Sequence, residues 1–196
     1  MQVRLTRPAS AAVPTLLVVA GPNGCGKSTL TRMSGFRGLE IIDPDAIARS
    51  ITSGNPLQAG REALRRRRDA LAAGRSHLVE TTLAGSGILR HMTAARREGY
   101  RIVLHYVSVA SPDRALDRIR NRVALGGHDI PEADARRRFV RSHANLPAAM
   151  ARADLTVLYD NADPDRPHRE VAILGDGTRW IAAAVPGWAA AALARS

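Results

Sequence analysis

The sequence GPNGCGKS at residues 21–28 decides the fold of this chain. It matches the phosphate-binding loop pattern G-x-x-x-x-G-K-[S/T], whose glycines let successive backbone N–H groups point at phosphate oxygens. The flanking residues agree, because Thr15 to Ala20 form an apolar run typical of a short buried strand and Lys27 to Met33 begin a helix. Lys27 is the single lysine among 29 basic residues, so lysine occurs where a compact ammonium has a chemical use. The sequence therefore predicts a strand, a phosphate loop and a helix in succession.

The residues of this loop are the candidates for nucleotide binding. The loop backbone and the positive end of the following helix would hold the phosphates, and Lys27 would reach the β- and γ-phosphates. Ser28 would ligate Mg²⁺. Cys25 fills a variable position for which we expect no catalytic role. The predicted cofactor-binding residues are Gly21, Pro22, Asn23, Gly24, Cys25, Gly26, Lys27, Ser28 and Thr29.

Length and cysteine content indicate the kind of protein. The 196 residues are enough for one domain with its own core, and we expect a single domain over residues 1–196. One cysteine excludes an intrachain disulfide, which fits a reducing compartment. No stretch approaches the roughly 18 apolar residues that span a bilayer. We therefore expect a cytoplasmic protein that makes no membrane contact.

The net charge of +11 is a reason to consider a nucleic-acid partner, because basic faces bind phosphate backbones. Two observations make that partner the less favoured one. The arginines spread from Arg4 to Arg195 rather than forming one arm, and an aromatic content of 4% leaves few stacking platforms. The densest run, Arg65 to Arg68, lies in a predicted helix whose apolar side is Leu57, Leu64 and Leu71 at spacings of seven. We therefore expect the arginines on the solvated face of that helix rather than in a nucleic-acid site.

Alternating strand and helix signals predict an α/β fold with about five mostly parallel strands and flanking helices. A charged helix-loop-helix over about residues 118–148 is the predicted lid. Residues 169–196 form the predicted C-terminal β-hairpin and tail, with the turn at Gly175-Asp176-Gly177. The predicted strands after the first are Leu39–Ile42, His77–Glu80, Ile102–Val107 and Asp154–Tyr159.

Polar side chains follow three of these strands. In open parallel sheets, ligands bind beyond the carboxyl ends of the strands. Phosphoryl transfer needs carboxylates there, one to orient or deprotonate the attacking hydroxyl and one to hold Mg²⁺. The three clusters are Asp43 with Asp45, Glu80-Thr81-Thr82, and Asp160-Asn161.

Four motifs in this order resemble the zeta toxin family, specifically its small single-domain members. The motifs are GPNGCGKST (21–29), IIDPD (41–45), HLVETTLAG (77–85) and RVALGGHDIPEADARRRF (122–139), and the resemblance spans about Thr15 to Asn161. It implies a P-loop kinase that uses ATP and Mg²⁺ and phosphorylates a hydroxyl of a small molecule. Well-understood relatives act on UDP-N-acetylglucosamine, and an antitoxin is the protein partner that the family implies. The chain lacks obvious counterparts for the extra helices of longer toxins, so the acceptor stays open.

The resemblance also implies roles for individual residues. Asp45 matches the aspartate that takes the proton from the acceptor hydroxyl, and Glu80 would hold the Mg²⁺ shell or a substrate hydroxyl. Thr81 and Thr82 either contact substrate or make the turn. Arg122 and one of Arg136, Arg137 and Arg138 match lid arginines that reach the γ-phosphate; Arg137 is our choice among the three. Asn161 is the candidate for nucleotide binding after the fifth strand.

Two other interpretations stay open. One is a P-loop NTPase that acts with nucleic acid, for which DNA or RNA would stimulate turnover and salt would weaken binding steeply. The other is an ATP-binding toxin-antitoxin component without turnover. Formation of ADP that depends on an added metabolite distinguishes the kinase from both.

Overall fold

The structure is a computed structural model that describes residues 13–34, 38–50, 56–127 and 129–195, so parts of the expected domain over 1–196 lie outside the described residues. The strands are β1 (Thr15–Ala20), β2 (Glu40–Ile42), β3 (His77–Thr81), β4 (Arg101–Ser108), β5 (Leu155–Asp160), β6 (Arg169–Gly175) and β7 (Thr178–Ile181). The helices are α1 (Lys27–Met33), α2 (Pro44–Ser50), α3 (Pro56–Ala72), α4 (Gly87–Arg97), α5 (Pro112–Ala124), α6 (Glu132–Met150) and α7 (Gly187–Leu193).

One sheet organises the described residues, with strand order β2-β3-β1-β4-β5-β6-β7. The first five strands in this order are parallel, and β1 lies between β3 and β4. Because parallel strands share one carboxyl edge, this order brings the ends of β1, β2, β3 and β5 together. The predicted α/β fold with about five parallel strands is confirmed.

The C-terminal hairpin is also present, and it extends the main sheet. Strand β6 pairs antiparallel with β5, and β7 pairs antiparallel with β6. Gly175 and Gly177 have positive φ values of 113° and 74°, which suits the tight turn predicted there. The sequence indicated the turn, whereas the docking of β6 on β5 depends on contacts between distant residues.

The core lies on both faces of β1. Leu16, Val18 and Ala20 pack into the larger apolar cluster under α2, α3, α4, α6 and α7. Leu17 and Val19 point to the opposite face, where Leu30 of α1 packs against them. This alternation follows from the period of two along a strand. It explains why β1 has a continuous apolar sequence and why its end is a rigid base for the loop that follows.

Helices α5 and α6 form the helical pair that the sequence predicted as a lid. Helix α5 starts at Ser111, whose hydroxyl accepts the N–H of Arg114 at 3.3 Å, with Pro112 in the first turn. Leu116 and Ile119 pack against Ala135 of α6. In the described part of the chain, every helix is too short or too polar to cross a membrane.

Candidate nucleotide site

Residues 21–26 join β1 to α1 in a loop that only glycine accommodates at three positions, 21, 24 and 26. Gly21 has φ 146°, and a Cβ built there would lie 2.0 Å from the carbonyl oxygen of Val107 on β4. Gly26 has φ 97°, and its Cβ would lie 2.4 Å from Nδ2 of Asn161. The loop is therefore pressed against the ends of β4 and β5. The sequence pattern and the backbone conformation agree on a phosphate loop.

The Lys27 side chain curls over this loop. Its Nζ donates to the carbonyl oxygen of Pro22 at 2.9 Å, and the side chain is half-buried. An ammonium has three N–H donors, and Pro22 accepts one of them. The ammonium thus lies at the mouth of the loop with donors available to phosphate oxygens.

Glu80 lies beneath the start of α1 and accepts two hydrogen bonds from it. The Ser28 hydroxyl donates to Oε1 at 2.6 Å, and the Thr31 hydroxyl donates to Oε2 at 2.9 Å. Glu80 is 5% exposed and lies beside Val19 in the register of β1 and β3. Thr31 is a site residue that the sequence analysis missed. Its signal was the spacing of three from Ser28, which places both hydroxyls on one side of a helix.

The donor set at this position suits Mg²⁺. Mg²⁺ in nucleotide sites is held by one or two oxygen ligands of the protein together with water and phosphate oxygens. Ser28 Oγ and the Glu80 carboxylate supply oxygen ligands of this kind. Among the described residues, no group of three or more His, Cys, Asp or Glu side chains is arranged to hold a metal ion. The residues present therefore fit Mg²⁺ bound together with a nucleotide.

Asp43 and Asp45 follow the end of β2, and Asp43 is the one that comes close to Glu80. Oδ1 of Asp43 accepts the N–H of Asp45 at 2.9 Å, so Asp43 caps α2. Burial raises the pKa of the Asp43 carboxyl above its ordinary value, and the negative charge of Glu80 raises it further. Asp45 lies exposed in the first turn of α2. The structure thus brings Asp43 within electrostatic range of Glu80 and leaves Asp45 open to solvent.

The hydroxyls of Thr81 and Thr82 take part in the turn after β3. Thr81 Oγ1 accepts the N–H of Leu83 at 3.1 Å, and Thr82 Oγ1 accepts the N–H of Ala84 at 3.5 Å. Leu83 is fully buried with φ 57°, so these bonds support a backbone conformation that is uncommon for leucine. Turn formation explains both threonines, and their contact with substrate stays a prediction.

Asn161 contacts the phosphate loop through a backbone carbonyl. Its Nδ2 donates to the carbonyl oxygen of Cys25 at 2.9 Å, and its Oδ1 accepts the N–H of His168 at 3.1 Å. His168 Nε2 in turn lies 3.1 Å from the carbonyl oxygen of Gly26, which fixes Nε2 as the donor. Burial lowers the pKa of His168. Asn161 and His168 therefore hold the loop in shape, and the sequence carried no motif that points to His168.

The predicted lid arginines lie on α5 and α6. Arg122 is exposed near the end of α5. Arg136 pairs with Asp113 at 2.6 Å and with Glu132 at 2.9 Å, which joins the two helices. Arg137 pairs with Asp134 at 2.8 Å on the surface of α6. These ion pairs place Arg136 and Arg137 against acidic neighbours on α5 and α6, and their roles at the γ-phosphate stay predictions.

Arg118 is a further cation that the sequence analysis missed. It is half-buried on α5, one helical turn before Arg122. Burial raises the pKa of the Cys25 thiol, and the positive charges of Lys27 and Arg118 oppose that rise. Burial likewise lowers the pKa of His168, and Arg118 contributes to that lowering. Arg118 thus lies within electrostatic range of the loop and its supporting histidine.

Comparison with known proteins identifies the family. The profile of the AAA domain family matches residues 16–157, which is more than half of the chain. An uncharacterized protein of Haemophilus influenzae is 35% identical over 116 residues, which cover 57% of this chain and 83% of the relative.

Solved structures show the same fold at low identity. A chain from the PezAT chromosomal toxin-antitoxin system of Streptococcus pneumoniae is 18% identical, with a TM-score of 0.63 over 95% of this chain and 79% of that one. A chain of the AvrRxo1-ORF1:-ORF2 complex with ATP is 15% identical, with a TM-score of 0.64 over 87% of this chain and 61% of that one. The resemblance of the motifs to the zeta toxin family is thereby confirmed for the fold. The chain belongs to the AAA domain family and has the fold of a zeta-toxin-like P-loop kinase.

Proposed function

We propose that the chain is an ATP- and Mg²⁺-dependent kinase that transfers a phosphoryl group to a hydroxyl of a small molecule. The observation that carries this proposal is the contact of Ser28 and Glu80 directly beside the phosphate loop, with Asp43 close to Glu80. A loop built for phosphates and two carboxylates at one edge of the sheet are the parts that phosphoryl transfer requires. The resemblance to the zeta toxin family favours a nucleotide sugar such as UDP-N-acetylglucosamine as the acceptor.

The phosphate loop would bind ATP through its backbone N–H groups and Lys27. The carbonyl oxygens of Cys25 and Gly26 accept hydrogen bonds from Asn161 and His168, so these carbonyls would face away from the phosphates. The Lys27 ammonium would exchange its bond to Pro22 for phosphate oxygens. Ser28 and Glu80 would hold Mg²⁺, which would neutralise charge on the phosphates. In this arrangement the protein would position the phosphates and stabilise their negative charge, and it would form no covalent bond to them.

Transfer would proceed by attack of the acceptor oxygen on the γ-phosphorus. The bond from that phosphorus to the bridging oxygen of ADP breaks as the new P–O bond forms, and the hydroxyl proton passes to the Asp45 carboxylate. Asp45 is suited to this role because it is exposed at the edge of the site, whereas Asp43 caps the helix. Arg122 and Arg137 would come over the transferring group when the α5–α6 pair closes.

A protein inhibitor of the antitoxin class is the partner included in this proposal. The S. pneumoniae neighbour belongs to a toxin-antitoxin system, and the AvrRxo1 neighbour is a two-component complex. Nucleic acid remains less favoured, because ion pairs with acidic residues occupy many arginines of the described surface. These include Arg65, Arg66, Arg96, Arg120, Arg136 and Arg137.

Mass spectrometry of a metabolite extract tests the proposal. The extract is incubated with ATP, Mg²⁺ and the full chain, and we expect a species heavier by one phosphoryl group. UDP-N-acetylglucosamine is the first defined acceptor to try, and the Lys27→Ala variant is the matched control. ADP formation that depends on added DNA or RNA would favour the nucleic-acid interpretation. ATP binding without any transfer would favour the component without turnover.

A further inference from the structure

Arg67 is a buried charged residue on the side of α3 that packs against the core. Ala59, Ala63 and Ala70 lie on the same side, because positions three and four apart share one face of a helix. These alanines are at most 2% exposed, and Arg67 is 8% exposed. The fold thus places a guanidinium group on a stripe of α3 that is otherwise alanine.

The Arg67 guanidinium has no acidic partner in the part of the chain that the structure describes. It makes no ion pair or hydrogen bond there, and its Nε is enclosed without an acceptor. Burial lowers the pKa of Arg67 to about 10, which still leaves the side chain charged at neutral pH. A buried charge without a counter-ion destabilises a fold, because the water that it loses is not replaced.

The side chains around Arg67 add two imidazoles and no negative charge. His77 Nδ1 lies 2.9 Å from the carbonyl oxygen of Arg75, so this nitrogen carries the proton. His77 Nε2 then accepts from Nε2 of His91 at 3.0 Å. Burial lowers the pKa of both imidazoles, and the charge of Arg67 contributes to each lowering. Arg67, His77 and His91 therefore form one basic group, the Arg67 cluster.

A neighbouring carboxylate, Glu40 of β2, does not neutralise this cluster. Its charge raises the pKa of His77 and so opposes the effect of burial. Its carboxylate pairs with Arg75 at 3.6 Å. Burial alone accounts for the lowered pKa of Arg67, with no contribution from a carboxylate of the described residues. The positive charge of Arg67 therefore stays without a counter-ion in this part of the chain.

The Arg67 cluster and the phosphate loop lie at opposite edges of the sheet. His77 is the first residue of β3, whereas the phosphate loop follows the last residue of the neighbouring strand β1. The two strands are parallel, so the first residue of one and the last residue of the other lie at different edges. An anion held by the Arg67 cluster is therefore distinct from a phosphate group held by the loop.

We propose that the Arg67 cluster binds a small inorganic oxyanion of the sulfate or phosphate type, which links α3 to β3 and α4. A planar guanidinium donates two parallel hydrogen bonds to one such anion. The anion supplies the negative charge that the described residues lack at Arg67. His91 is half-buried and Arg67 retains some exposure, so the cluster is reached from solvent without opening the core. This inference does not depend on the proposed kinase function.

Histidine NMR distinguishes this site from the phosphate loop within one protein. Sulfate is titrated into the full chain, and the ring nitrogen signals of His77, His91 and His168 are followed. His168 Nε2 contacts the carbonyl oxygen of Gly26, so its signal reports sulfate at the loop. We expect the signals of His77 and His91 to follow a saturable curve that Lys27→Ala leaves unchanged. A shift of His168 alone, or a curve at His91 that weakens in Lys27→Ala, would overturn the inference.

Thermal melts of position 67 variants provide the second test, with Arg68→Met as the matched control at an exposed position of α3. Without sulfate, Arg67→Met should raise Tm, because it removes a buried charge that lacks a counter-ion. Sulfate should raise the Tm of the wild type and of Arg68→Met saturably. The Kd for sulfate should be about tenfold weaker in Arg67→Met, the scale of a charge-assisted hydrogen bond.

Arg67→Lys keeps the positive charge and loses the paired N–H donors, so it should fold and still bind sulfate more weakly than the wild type. Equal sulfate dependence of Tm in the wild type and in both position 67 variants would overturn the inference. A wild-type Tm that does not respond to sulfate would overturn it as well.

Discussion

Ser28 and Glu80 are 52 positions apart in the sequence, yet Ser28 Oγ lies 2.6 Å from Oε1 of Glu80. The parallel register of β1 and β3 causes this contact, because it sets Val19 beside Glu80 and the phosphate loop directly above. A carboxylate at this place holds the start of α1, and in the proposed function it is also an oxygen ligand for Mg²⁺. Substitutions at this edge of the sheet separate the two roles.

Glu80→Gln should lower kcat by at least about a hundredfold, because the metal loses a charged oxygen ligand in the transition state. The Mg²⁺ concentration for half-maximal activity should rise, since a neutral amide binds the ion more weakly. Steady-state kinetics over a Mg²⁺ titration checks both effects. Glu40→Gln is the matched control, because Glu40 lies on the neighbouring strand and pairs with Arg75. Wild-type Mg²⁺ dependence in Glu80→Gln would contradict the metal role.

Lys27→Ala should abolish phosphoryl transfer and leave the fold intact, because the side chain contacts the loop and not the core. ATP with Mg²⁺ should raise the Tm of the wild type by mass action and shift the variant much less. Thermal melts with and without millimolar nucleotide measure this difference. An unchanged wild-type Tm would count against an ATP site.

Asp45→Asn should retain ATP affinity and stability and lose at least about a hundredfold in kcat, the usual scale of a positioned general base. Asp43→Asn should lower kcat much less, because asparagine caps a helix as well as aspartate does. Kinetics with the identified acceptor compares the two variants. A larger loss at Asp43 would transfer the role of base to it, consistent with its raised pKa. Equal and mild losses of kcat in both variants would contradict Asp45 as the base and favour Glu80 in that role.

Asn161→Ala should weaken the phosphate loop itself. The substitution leaves the carbonyl of Cys25 and the N–H of His168 without their partner, which costs about 1–3 kcal/mol for buried groups. For a domain of this size, each kcal/mol lowers Tm by roughly 2–4 °C. The KM for ATP should rise as the loop loses its support. Asn121→Ala, at an exposed position of α5, should change neither quantity.

Acid should destabilise the fold through its buried histidines. Burial, together with the nearby His77 and Arg67, lowers the pKa of His91 to about 3. As the pH falls through about 6.5, the unfolded chain binds a proton on His91 and the folded chain does not. The contribution of neutral His91 to the free energy of unfolding is therefore complete above pH 6.5 and decreases as the pH falls below it. At pH 5 the loss is about 2 kcal/mol for one such group. Melting curves from pH 7.5 to 5 should show Tm falling, and His91→Gln should reduce the slope.

The sequence pattern was sufficient to predict most strands and helices and many residues of the candidate site. The loop motif, the apolar strand runs and the Gly175-Asp176-Gly177 turn are local signals, and they predicted β1, α1 and the C-terminal hairpin. The sequence also indicated Glu80 as a carboxylate near the loop. These features depend on neighbours within a few residues, where backbone preferences decide the structure.

The contacts between distant segments could not be predicted in the same way. His168 reaches the carbonyl of Gly26 across 142 positions, and no local pattern marks it. The amide of Asn161 contacts the loop backbone, because the end of β5 packs close to Gly26, and its predicted contact with the nucleotide stays a prediction. The arginine run at 65–68 was assigned to solvent; Arg65 and Arg68 are exposed as predicted, whereas Arg67 is buried. Only the packing of α3 on its neighbours separates these environments.

The position of Lys27 has a consequence for covalent modification. The chain carries one ε-amine, and the fold places it over the loop that we assign to nucleotide binding. Acylation or alkylation directed at lysine side chains therefore acts at this one residue and removes the ammonium that the phosphates would meet. A nucleotide bound there would shield the same atom. Because every other basic side chain of Lys or Arg type is an arginine, a lysine-directed reagent modifies the proposed active site. The extent of that modification therefore reports whether a nucleotide occupies the site.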